Sequence, residues 1–441
     1  MDKGRSKTCG LTRREFLGLS AGAGAWLVLA SCGGGQQRAG SGTTYNGPSV
    51  DLAFWNGFTG GDGPYMRDLV DQFSSEYSNI QVSMDTYEWV DYYQKVPAAV
   101  QSDQGPDVGI MHSDHLATNA AREVIIPLDE VASSLGLQES DFLPIVWKAG
   151  IFDNQRYGIP LDMHPMGLYY NKSLLEKAGL DPNKPPQTKD DYDAALEELK
   201  GSGIQGSWVS PFPFTGTLQF ESLLFQFGGD LYNGDQSKAA FNSDAGVDAL
   251  TWMVDLVKNG YSPSDVAQDA EFTAFKNGEN ALHWNGVWQI NEFKNVEDLD
   301  WDVAPLPRIG SEDATWSGSH NFVIMNQSST DQNKVDAAST FINWISQQSI
   351  EWAKAGQVPA RSTVRDSQDF KDLKEQSTIA EQTSDLHFVP PVPGIEDVQT
   401  GSFDTAVNEA VLQQKDPKTA LDDAAEKADQ ILEDNRQKYG T

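Results

Sequence analysis

Strand and helix patterns alternate from residue 49 onward, and this alternation restricts the folds open to the chain. Apolar residues alternate with polar ones at 50–54 and again at 80–84, as in half-buried strands. Between these runs, Asp62 and Pro64 are typical of a helix start, and an apolar face follows at helical spacing: Met66, Leu69, Val70, Phe73 and Tyr77. The run PDVGIM at 106–111 predicts another buried strand. This order predicts an α/β fold with a mostly parallel sheet covered by helices.

A second series of the same kind follows further along the chain. Helical patterns recur near 173–179, 189–201 and 245–259, and KVDAASTFINWISQQ and TALDDAAEKADQILED are also helical. A chain of 441 residues suits two domains better than one. We therefore expect two α/β units.

The first 31 residues have the features of an export signal. Arg13 and Arg14 precede an apolar stretch at 16–30, which is shorter than the about 20 residues that a membrane-spanning helix needs. The arginine pair and the Glu-Phe-Leu that follows resemble a twin-arginine signal. We therefore expect residues 1–31 to be removed on export.

A lipid anchor is predicted at the end of this signal. LASC at 29–32 resembles a lipobox, in which Cys32 is lipidated and becomes the first residue of the mature chain. The Gly-rich segment 32–48 predicts a flexible tether. We expect a protein anchored to the outer face of the cell membrane. Since Cys9 would be removed, one cysteine is left, which excludes a disulfide and a cysteine-rich metal site.

The mature chain is strongly acidic. Without the five basic and two acidic residues of the signal, 27 basic and 62 acidic residues are left, a net charge of −35. Such a surface repels nucleic acid and anionic lipid, so we expect neither as a partner. The charge is spread along the chain and is typical of a solvated surface.

No motif of a known catalytic type occurs in the predicted mature chain. G-x-S-x-G, H-E-x-x-H and a phosphate loop are all missing, which predicts a protein that is not an enzyme and needs no cofactor. The segment HSDH, His112 to His115, offers two imidazoles and a carboxylate. Short motifs of this kind often fail, so no metal is expected, and zinc at these histidines is kept as an alternative.

Aromatic and polar residues recur where predicted strands end. GIPLDMHPMGLYYNK at 158–172 places Asp162 and His164 inside the most apolar run, between two prolines. Ligands bind beyond the carboxyl ends of strands in open α/β sheets, so these positions together predict the lining of a cleft. Other members of this group are Trp55, His112, His115, Phe212, Phe214, Trp284, Trp288, Trp316 and His320.

Several pieces along the chain resemble the extracellular solute-binding lipoproteins of ABC importers, the family of maltose- and oligosaccharide-binding proteins. They are FWNG, GPDV, IPLD, YGIPLDMHPMGLYYNKSLLEKAGLDP, ALHWNGVW, GSHNFVI and GQVPAR, in this order. The resemblance implies two α/β lobes joined by three crossovers, at Pro160–Pro165, near Ser317–Asn321 and near Val364–Phe370. It implies an N-terminal lobe of residues 49–162 and 320–370 and a C-terminal lobe of residues 163–319 and 371–441.

The resemblance also implies ligand contacts in the turns that follow the first and third strands, at the first crossover, and on aromatic residues across the cleft. Together with the strand-end positions, the predicted ligand-binding residues are Trp55, Asn56, Gly57, Phe58, Glu88, Trp89, His112, Asp114, His115, Asp162, His164, Phe212, Phe214, Trp284, Trp288, Gly318, His320 and Arg361.

The function that the resemblance implies is the substrate-binding component of an ABC sugar importer. It would capture a mono- or oligosaccharide between the lobes as a monomer and deliver it to the permease by closing. Aromatic faces and hydrogen-bonding side chains suit a sugar, whereas an anionic ligand would call for an arginine fork. The alternatives are a binding protein for a cationic solute such as a polyamine, and an exported carbohydrate-active enzyme.

Overall fold

The computed structural model of the chain describes residues 44–329 and 331–440. The predicted signal peptide, Cys32 and most of the predicted tether lie outside these residues. Tyr45, within the predicted tether, is buried, and its backbone N–H donates to Thr340 Oγ1 at 3.0 Å. The folded body therefore begins before residue 49, the predicted start of the first lobe.

The described residues form an α/β fold in which strands and helices alternate. The strands are β1 (Val50–Asn56), β2 (Ile80–Thr86), β3 (Val108–His112), β4 (Ile151–Phe152), β5 (Gln155–Arg156), β6 (Ile159–Pro160), β7 (Asp162–Asn171), β8 (Leu282–Gly286), β9 (Trp301–Ala304), β10 (Thr315–Gly318), β11 (His320–Ile324), β12 (Val358–Pro359) and β13 (Leu386–His387).

The helices agree with the predicted ones within a few residues where the sequence pattern is periodic. They are α1 (Gly63–Glu76), α2 (Trp89–Gln101), α3 (Ser113–Ala121), α4 (Asp129–Ser134), α5 (Pro144–Ala149), α6 (Lys172–Lys177), α7 (Lys189–Gly201), α8 (Thr215–Gln226), α9 (Asp244–Lys258), α10 (Ala270–Lys276), α11 (Ile290–Lys294), α12 (Gln332–Gln347), α13 (Ser349–Ala353), α14 (Ser362–Arg365), α15 (Gln368–Lys371), α16 (Lys374–Ile379), α17 (Ile395–Gly401), α18 (Phe403–Val411) and α19 (Pro417–Tyr439).

The sheet of the N-terminal lobe has the strand order β2-β1-β3-β11-β6. β1 pairs in parallel with both β2 and β3, as the strand–helix–strand pattern predicts. β11 returns from much later in the chain and pairs antiparallel with β3 and β6. α1 and α12 pack against this sheet, and their apolar faces belong to one core with Phe54 and Phe341.

The sheet of the C-terminal lobe is built around β7 and is mixed. β7 is ten residues long and buried throughout, and it pairs antiparallel with β8, β9, β10 and β12. Only β10 and β13 pair in parallel among the strands of this sheet. The sequence predicts mostly parallel pairing here, because hydrophobic alternation reports which face of a strand is buried and carries no information on strand direction.

The chain passes between the two sheets at closely spaced points. Leu161 alone separates β6 of the first sheet from β7 of the second, and Ser319 alone separates β10 from β11. β12 lies beside the start of β7, with Pro359 opposite Asp162. Segments distant in sequence thus meet at Asp162, on the boundary between the two lobes.

The two lobes are covered by further helices, with α8, α9, α18 and α19 packed together on the C-terminal lobe. Within residues 44–329 and 331–440, no helix combines the length and the apolar character needed to cross a membrane.

Candidate functional site between the lobes

A buried carboxylate, Asp162, stands at the centre of the boundary between the lobes. Its Oδ1 accepts from the backbone N–H of His320 at 2.9 Å, and its Oδ2 accepts from His320 Nδ1 at 2.8 Å and from Trp352 Nε1 at 2.7 Å. His164 Nδ1 lies 3.4 Å from Oδ1. Burial alone would raise the pKa of Asp162, but His320 and the hydrogen bonds of both histidines hold that pKa well below its usual range.

These hydrogen bonds determine the role of Asp162 in the structure. Both of its oxygens already accept hydrogen bonds from the chain, and the donors come from β11 and α13, which are distant from β7 in sequence. The sequence predicts that this carboxylate faces a ligand. The structure instead gives it the role of joining the segments that pass between the lobes, since a buried carboxylate needs paired donors to remain charged.

Three imidazoles gather beside this carboxylate. The ring centroids of His164 and His320 are 4.5 Å apart, those of His112 and His320 are 4.8 Å apart, and those of His112 and His164 are 5.6 Å apart. We call His112, Asp162, His164 and His320 the histidine cluster. β3, β7 and β11 supply its members, and the pairing of β3 with β11 sets His112 directly opposite His320.

The surroundings of His112 and His164 favour the uncharged form of these two imidazoles. Burial, and then the neighbouring His320 and His164, lower the pKa of His112 well below its usual value. Burial likewise lowers the pKa of His164. Tyr93 fixes His112 further, because its hydroxyl lies 2.7 Å from His112 Nδ1 and accepts from the His112 backbone N–H at 2.9 Å.

Aromatic side chains of the N-terminal lobe form one wall around the cluster. Trp89 lies parallel to His320 with centroids 5.7 Å apart, and its ring is 4.3 Å from that of His112. Phe58 packs on both Trp89 and His320. Gly57 permits this approach, because a Cβ at that position would lie 2.1 Å from the Trp89 ring.

Aromatic side chains of the C-terminal lobe form the opposite wall. Trp288 and Trp316 lie 6.0 and 5.8 Å from His164 by ring centroids, and Phe214 lies 5.2 Å from Trp288. Phe214 is 57% exposed and has φ 77° and ψ −86°, a conformation that a residue with a Cβ rarely adopts. Strain of this kind is concentrated at functional sites.

Several buried polar atoms near these walls have no hydrogen-bond partner among the described residues. They are Asp62 Oδ1 and Asp114 Oδ1 in the N-terminal lobe, and Trp316 Nε1 and Glu221 Oε2 in the C-terminal lobe. Each unsatisfied atom costs about 1–3 kcal/mol. Acceptors on one side and an indole donor on the other are what a polar ligand with several hydroxyls would satisfy.

The pKa values of two of these carboxyl groups are raised by their surroundings. Burial raises the pKa of Asp62, which is also close enough to His320 and Asp162 to be affected by their charges. Burial raises the pKa of Glu221 to about 8, with further contributions from Asp404 and Asp114. Glu221 is therefore mostly protonated at neutral pH.

The rims of the two lobes are in contact through α3 and the start of α17. Thr118 Oγ1 donates to Glu396 Oε2 at 2.9 Å and accepts from the backbone N–H of Gly394 at 2.7 Å. His115 Nδ1 lies 3.8 Å from Glu396 Oε1, and its ring stacks on Tyr93 with centroids 3.5 Å apart. We call this set the rim contact.

The structure brings most of the predicted ligand-binding residues to this boundary. Gly318 belongs with them, since a Cβ there would lie 2.3 Å from His164 Nε2. Asn56 supports the turn before Phe58, whose backbone N–H donates to Asn56 Oδ1 at 3.1 Å. The residues brought together are Asn56, Gly57, Phe58, Trp89, His112, Asp114, His115, Asp162, His164, Phe214, Trp288, Gly318 and His320.

Three predicted residues lie elsewhere. The Trp55 indole donates to Asp85 Oδ2 at 3.1 Å at the edge of the first sheet. Trp284 is buried in the core of the C-terminal lobe, 5.8 Å from Trp252 by ring centroids. Arg361 donates through Nε to a serine on α12, and burial lowers its pKa, so it is a structural residue of the N-terminal lobe.

Two more predicted residues have weaker links to the site. Glu88 is exposed and accepts from Thr59 Oγ1 at 3.2 Å. Phe212 is half-buried in the loop before α8, two residues before Phe214. Neither residue has a ring contact or hydrogen bond to the histidine cluster among the interactions of the described residues.

Other residues at the boundary were missed by sequence reasoning. Asp62 lies in a segment interpreted only as a helix start, and Tyr93 and Trp352 lie in helices whose patterns resemble ordinary core packing. Glu221 and Glu396 carry no local sequence signal, since their burial depends on tertiary packing. The residues missed are Asp62, Tyr93, Glu221, Trp352 and Glu396.

Two α/β lobes, linked by closely spaced crossings and lined by aromatic and polar side chains, define a binding protein for small solutes. A family model described as bacterial extracellular solute-binding protein matches residues 68–378, and the chain belongs to this family. Members of the family are the substrate-binding components of ABC importers and are extracellular, as the sequence predicts.

Relatives and solved structures agree with this assignment. The sn-glycerol-3-phosphate-binding periplasmic protein UgpB of Shigella flexneri is 23% identical over 86% of this chain and 92% of its own length. The cyclic α-maltosyl-1,6-maltose binding protein of Arthrobacter globiformis has a TM-score of 0.75 and 25% identity, covering 88% of this chain and all of that one. An ABC transporter solute-binding protein of Thermotoga lettingae, bound with α-D-tagatose, has a TM-score of 0.76 and 25% identity over 87% of this chain and all of that one.

Proposed function

We propose that this chain captures a neutral mono- or oligosaccharide between its two lobes and delivers it to an ABC permease by closing. The observation that carries the proposal is the set of buried, unpartnered polar atoms beside aromatic walls. Asp62 and Asp114 supply acceptors from one lobe, and Trp316 supplies a donor from the other. Trp89 and Trp288 offer the flat apolar surfaces that suit the C–H faces of a sugar ring.

The charges at the boundary favour a neutral ligand over a phosphorylated one. A phosphate ester is typically held by an arginine or lysine. In the part of the chain that the structure describes, the hydrogen bonds, ion pairs and ring contacts of the histidine cluster involve no lysine or arginine. The identity to a glycerol-3-phosphate-binding relative is low enough for the ligand to differ.

A cationic solute such as a polyamine is a second candidate. Asp62 Oδ1 and Asp114 Oδ1 have no hydrogen-bond partner among the described residues, and aromatic faces also attract cations. The two candidates differ in what they need from these carboxyl groups. A sugar hydroxyl can form a hydrogen bond with a neutral amide at the same position, whereas a protonated amine requires the negative charge of a carboxylate.

Calorimetric titration distinguishes these candidates. Maltose, maltotriose, tagatose, glycerol 3-phosphate and spermidine are titrated into the protein, and we expect heat from a neutral sugar alone. Asp114→Asn should weaken sugar binding by no more than tenfold, roughly one hydrogen bond. Asp91→Asn, at an exposed position on α2, is the matched control. Binding of spermidine that Asp114→Asn abolishes would replace the sugar with an amine, and release of glycan products would reveal an enzyme.

We further propose that the chain is exported through a twin-arginine signal, is lipidated at Cys32 and acts as a monomer held at the outer face of the membrane. In this proposal the N-terminal lobe comprises residues 49–162 and 320–370, and the C-terminal lobe comprises residues 163–319 and 371–441. The arginine pair and LASC support the anchor. Cys32→Ala should abolish acyl labelling, and normal labelling of this variant would contradict the proposal.

A further inference from the structure

The histidine cluster has the composition and spacing of a metal site. Asp162, His164 and His320 each offer one ligand atom, and these atoms all lie within 4.8 Å of one another, with all three residues buried. We propose that these three residues bind one divalent transition-metal ion, with Zn²⁺ as the ion to test. This proposal does not depend on which solute the cleft binds.

The candidate ligand atoms lie near the spacing of a tetrahedral ion, although one pair is closer than such an ion would hold it. His320 Nδ1 lies 2.8 Å from Asp162 Oδ2, and His164 Nδ1 lies 3.4 Å from Asp162 Oδ1. Ligands bound to zinc at about 2.0–2.1 Å in a tetrahedron are roughly 3.3 Å apart. Each imidazole would bind through Nδ1 and carry its proton on Nε2. The ion would take the place of two hydrogen bonds, and His320 Nδ1 and Asp162 Oδ2 would move apart by about 0.5 Å to reach the tetrahedral spacing.

The other donors to Asp162 would become the outer shell of the ion. The backbone N–H of His320 and the indole N–H of Trp352 cannot lose their protons, so they continue to hold the carboxylate. Outer hydrogen bonds of this kind orient metal ligands and strengthen binding. The structure therefore supplies the ligands together with the groups that fix one of them in place.

The surrounding charges can balance a doubly charged ion. Asp162 supplies one negative charge, and Asp62 is near enough to His320 and Asp162 to be affected by their charges. Asp62 Oδ1 is buried and has no partner among the described residues. A bound cation would offset the effect of burial on Asp62 and favour its ionised form, so that the two carboxylates together neutralise the ion.

The donor set selects the class of metal. Two imidazole nitrogens and one carboxylate oxygen suit zinc, cobalt, nickel or copper, whereas magnesium and calcium prefer oxygen ligands alone. His112, whose ring is 4.8 Å from that of His320, is the nearest further imidazole. The bound ion would link β7 to β11, the two strands at which the chain changes lobe.

The test uses the full-length chain, produced without a histidine tag and stripped of metal with a chelator. ZnCl₂ is added, unbound metal is removed by gel filtration, and bound zinc is measured by mass spectrometry. We expect one zinc per chain and a higher melting temperature with zinc. We also expect Co²⁺ to give the intense visible absorption of a four- or five-coordinate site. A substoichiometric zinc content, or the weak cobalt spectrum of a six-coordinate site, would overturn the proposal.

Variants locate the ion. His164→Asn and His320→Asn should each reduce zinc affinity by roughly tenfold or more, since even loss of an outer-shell group has an effect of that size. His387→Asn, at a histidine that stacks on Phe225 and has no ring contact or hydrogen bond to the cluster among the described residues, should bind zinc as the wild type does. Unchanged zinc affinity in both cluster variants would place the ion elsewhere and overturn the assignment. The cobalt spectrum of the wild type decides the matter if a variant fails to fold.

Discussion

The buried carboxyl group of Glu221 should make the stability of the protein depend on pH in a direction opposite to that of most carboxyl groups. Glu221 is fully buried on α8, accepts from Gln399 Nε2 at 2.7 Å through Oε1, and has no partner for Oε2 within the described residues. Burial, and then Asp404 and Asp114, raise its pKa from 4.5 to about 8.

The direction of this pH dependence follows from the number of protons that the folded and unfolded states bind. Between pH 4.5 and 8 the folded chain keeps the Glu221 proton, whereas the unfolded chain has lost it, so folding takes up a proton. This contribution to stability is therefore complete below pH 4.5, falls as the pH rises towards 8, and changes no further above 8. Because one pKa unit corresponds to about 1.36 kcal/mol, the whole change is on the order of 5 kcal/mol.

Glu221→Gln should remove this dependence, because an amide carries no charge at any of these pH values. The free energy of unfolding of wild type and variant is measured by urea denaturation from pH 4.5 to 9. We expect the variant to gain stability relative to the wild type as the pH rises to 8, and the difference to stay constant above it. The new amide nitrogen lacks a partner, which costs a similar amount at every pH and leaves the slope unaffected.

The matched control is Glu426→Gln, which removes a charge from an exposed position on α19. Its difference from the wild type should be small, within about 0.5 kcal/mol, at every pH. If the curves of wild type and Glu221→Gln run parallel across this range, then Glu221 ionises at an ordinary pH and the account of its burial is refuted.

Three further variants test the site. Trp288→Ala should weaken binding of the solute by about 1–3 kcal/mol in calorimetry with little change in melting temperature, whereas Trp147→Ala, an aromatic residue packed on an arginine in the N-terminal lobe, should leave affinity unchanged. Asp162→Asn should lower the free energy of unfolding by about 3–5 kcal/mol, because it leaves buried donors without their charged partner. Thr118→Val should weaken solute binding by about 1–3 kcal/mol, because it removes both hydrogen bonds of the rim contact while keeping the shape of the side chain. Normal affinity in Trp288→Ala, wild-type stability in Asp162→Asn, or unchanged affinity in Thr118→Val would contradict the corresponding assignment.

The parts of the fold that depend on local pattern could be predicted from the sequence. The strands around 50–56 and 80–86 and the helix between them are visible as changes from a two-residue to a 3.6-residue period, and the structure has them in parallel. The surroundings of β7 could not be predicted in the same way. Its neighbours β8, β9, β10 and β12 come from distant parts of the chain, and their direction depends on the path of the connections.

For the site, too, local patterns predict some residues correctly, whereas others depend on how distant parts of the chain pack together. His112, His164, His320 and Trp288 stand near predicted strand ends, and the structure brings them together. Trp284 shares the same segment as Trp288 but lies inside β8, where its face of the strand points into the core. Only the pairing of the strands shows that Trp288 lies at the site and Trp284 in the core.

The hydrogen bonds of Asp162 are a further feature that local sequence patterns do not predict. Its partners His320 and Trp352 are 158 and 190 residues away in the chain. A polar residue within an apolar run predicts either a ligand contact or an internal bond, and the choice depends on donors that the sequence places far apart. For Asp162 the sequence predicts a ligand contact, whereas the structure supplies internal donors.

Small-angle X-ray scattering with and without solute tests the central claim most directly. The rim contact and the unpartnered atoms on both walls imply that the bound solute touches both lobes, and a ligand stabilises the closed form by its differential affinity for that form. We expect the radius of gyration to fall to the value calculated from the structure when a saturating sugar is added. The compaction should be smaller in Trp288→Ala at the same sugar concentration. The contradicting result requires two conditions: the solute-free protein has a radius of gyration above the calculated value, and calorimetry confirms saturation with sugar. If the radius of gyration then does not fall, capture between the lobes is contradicted.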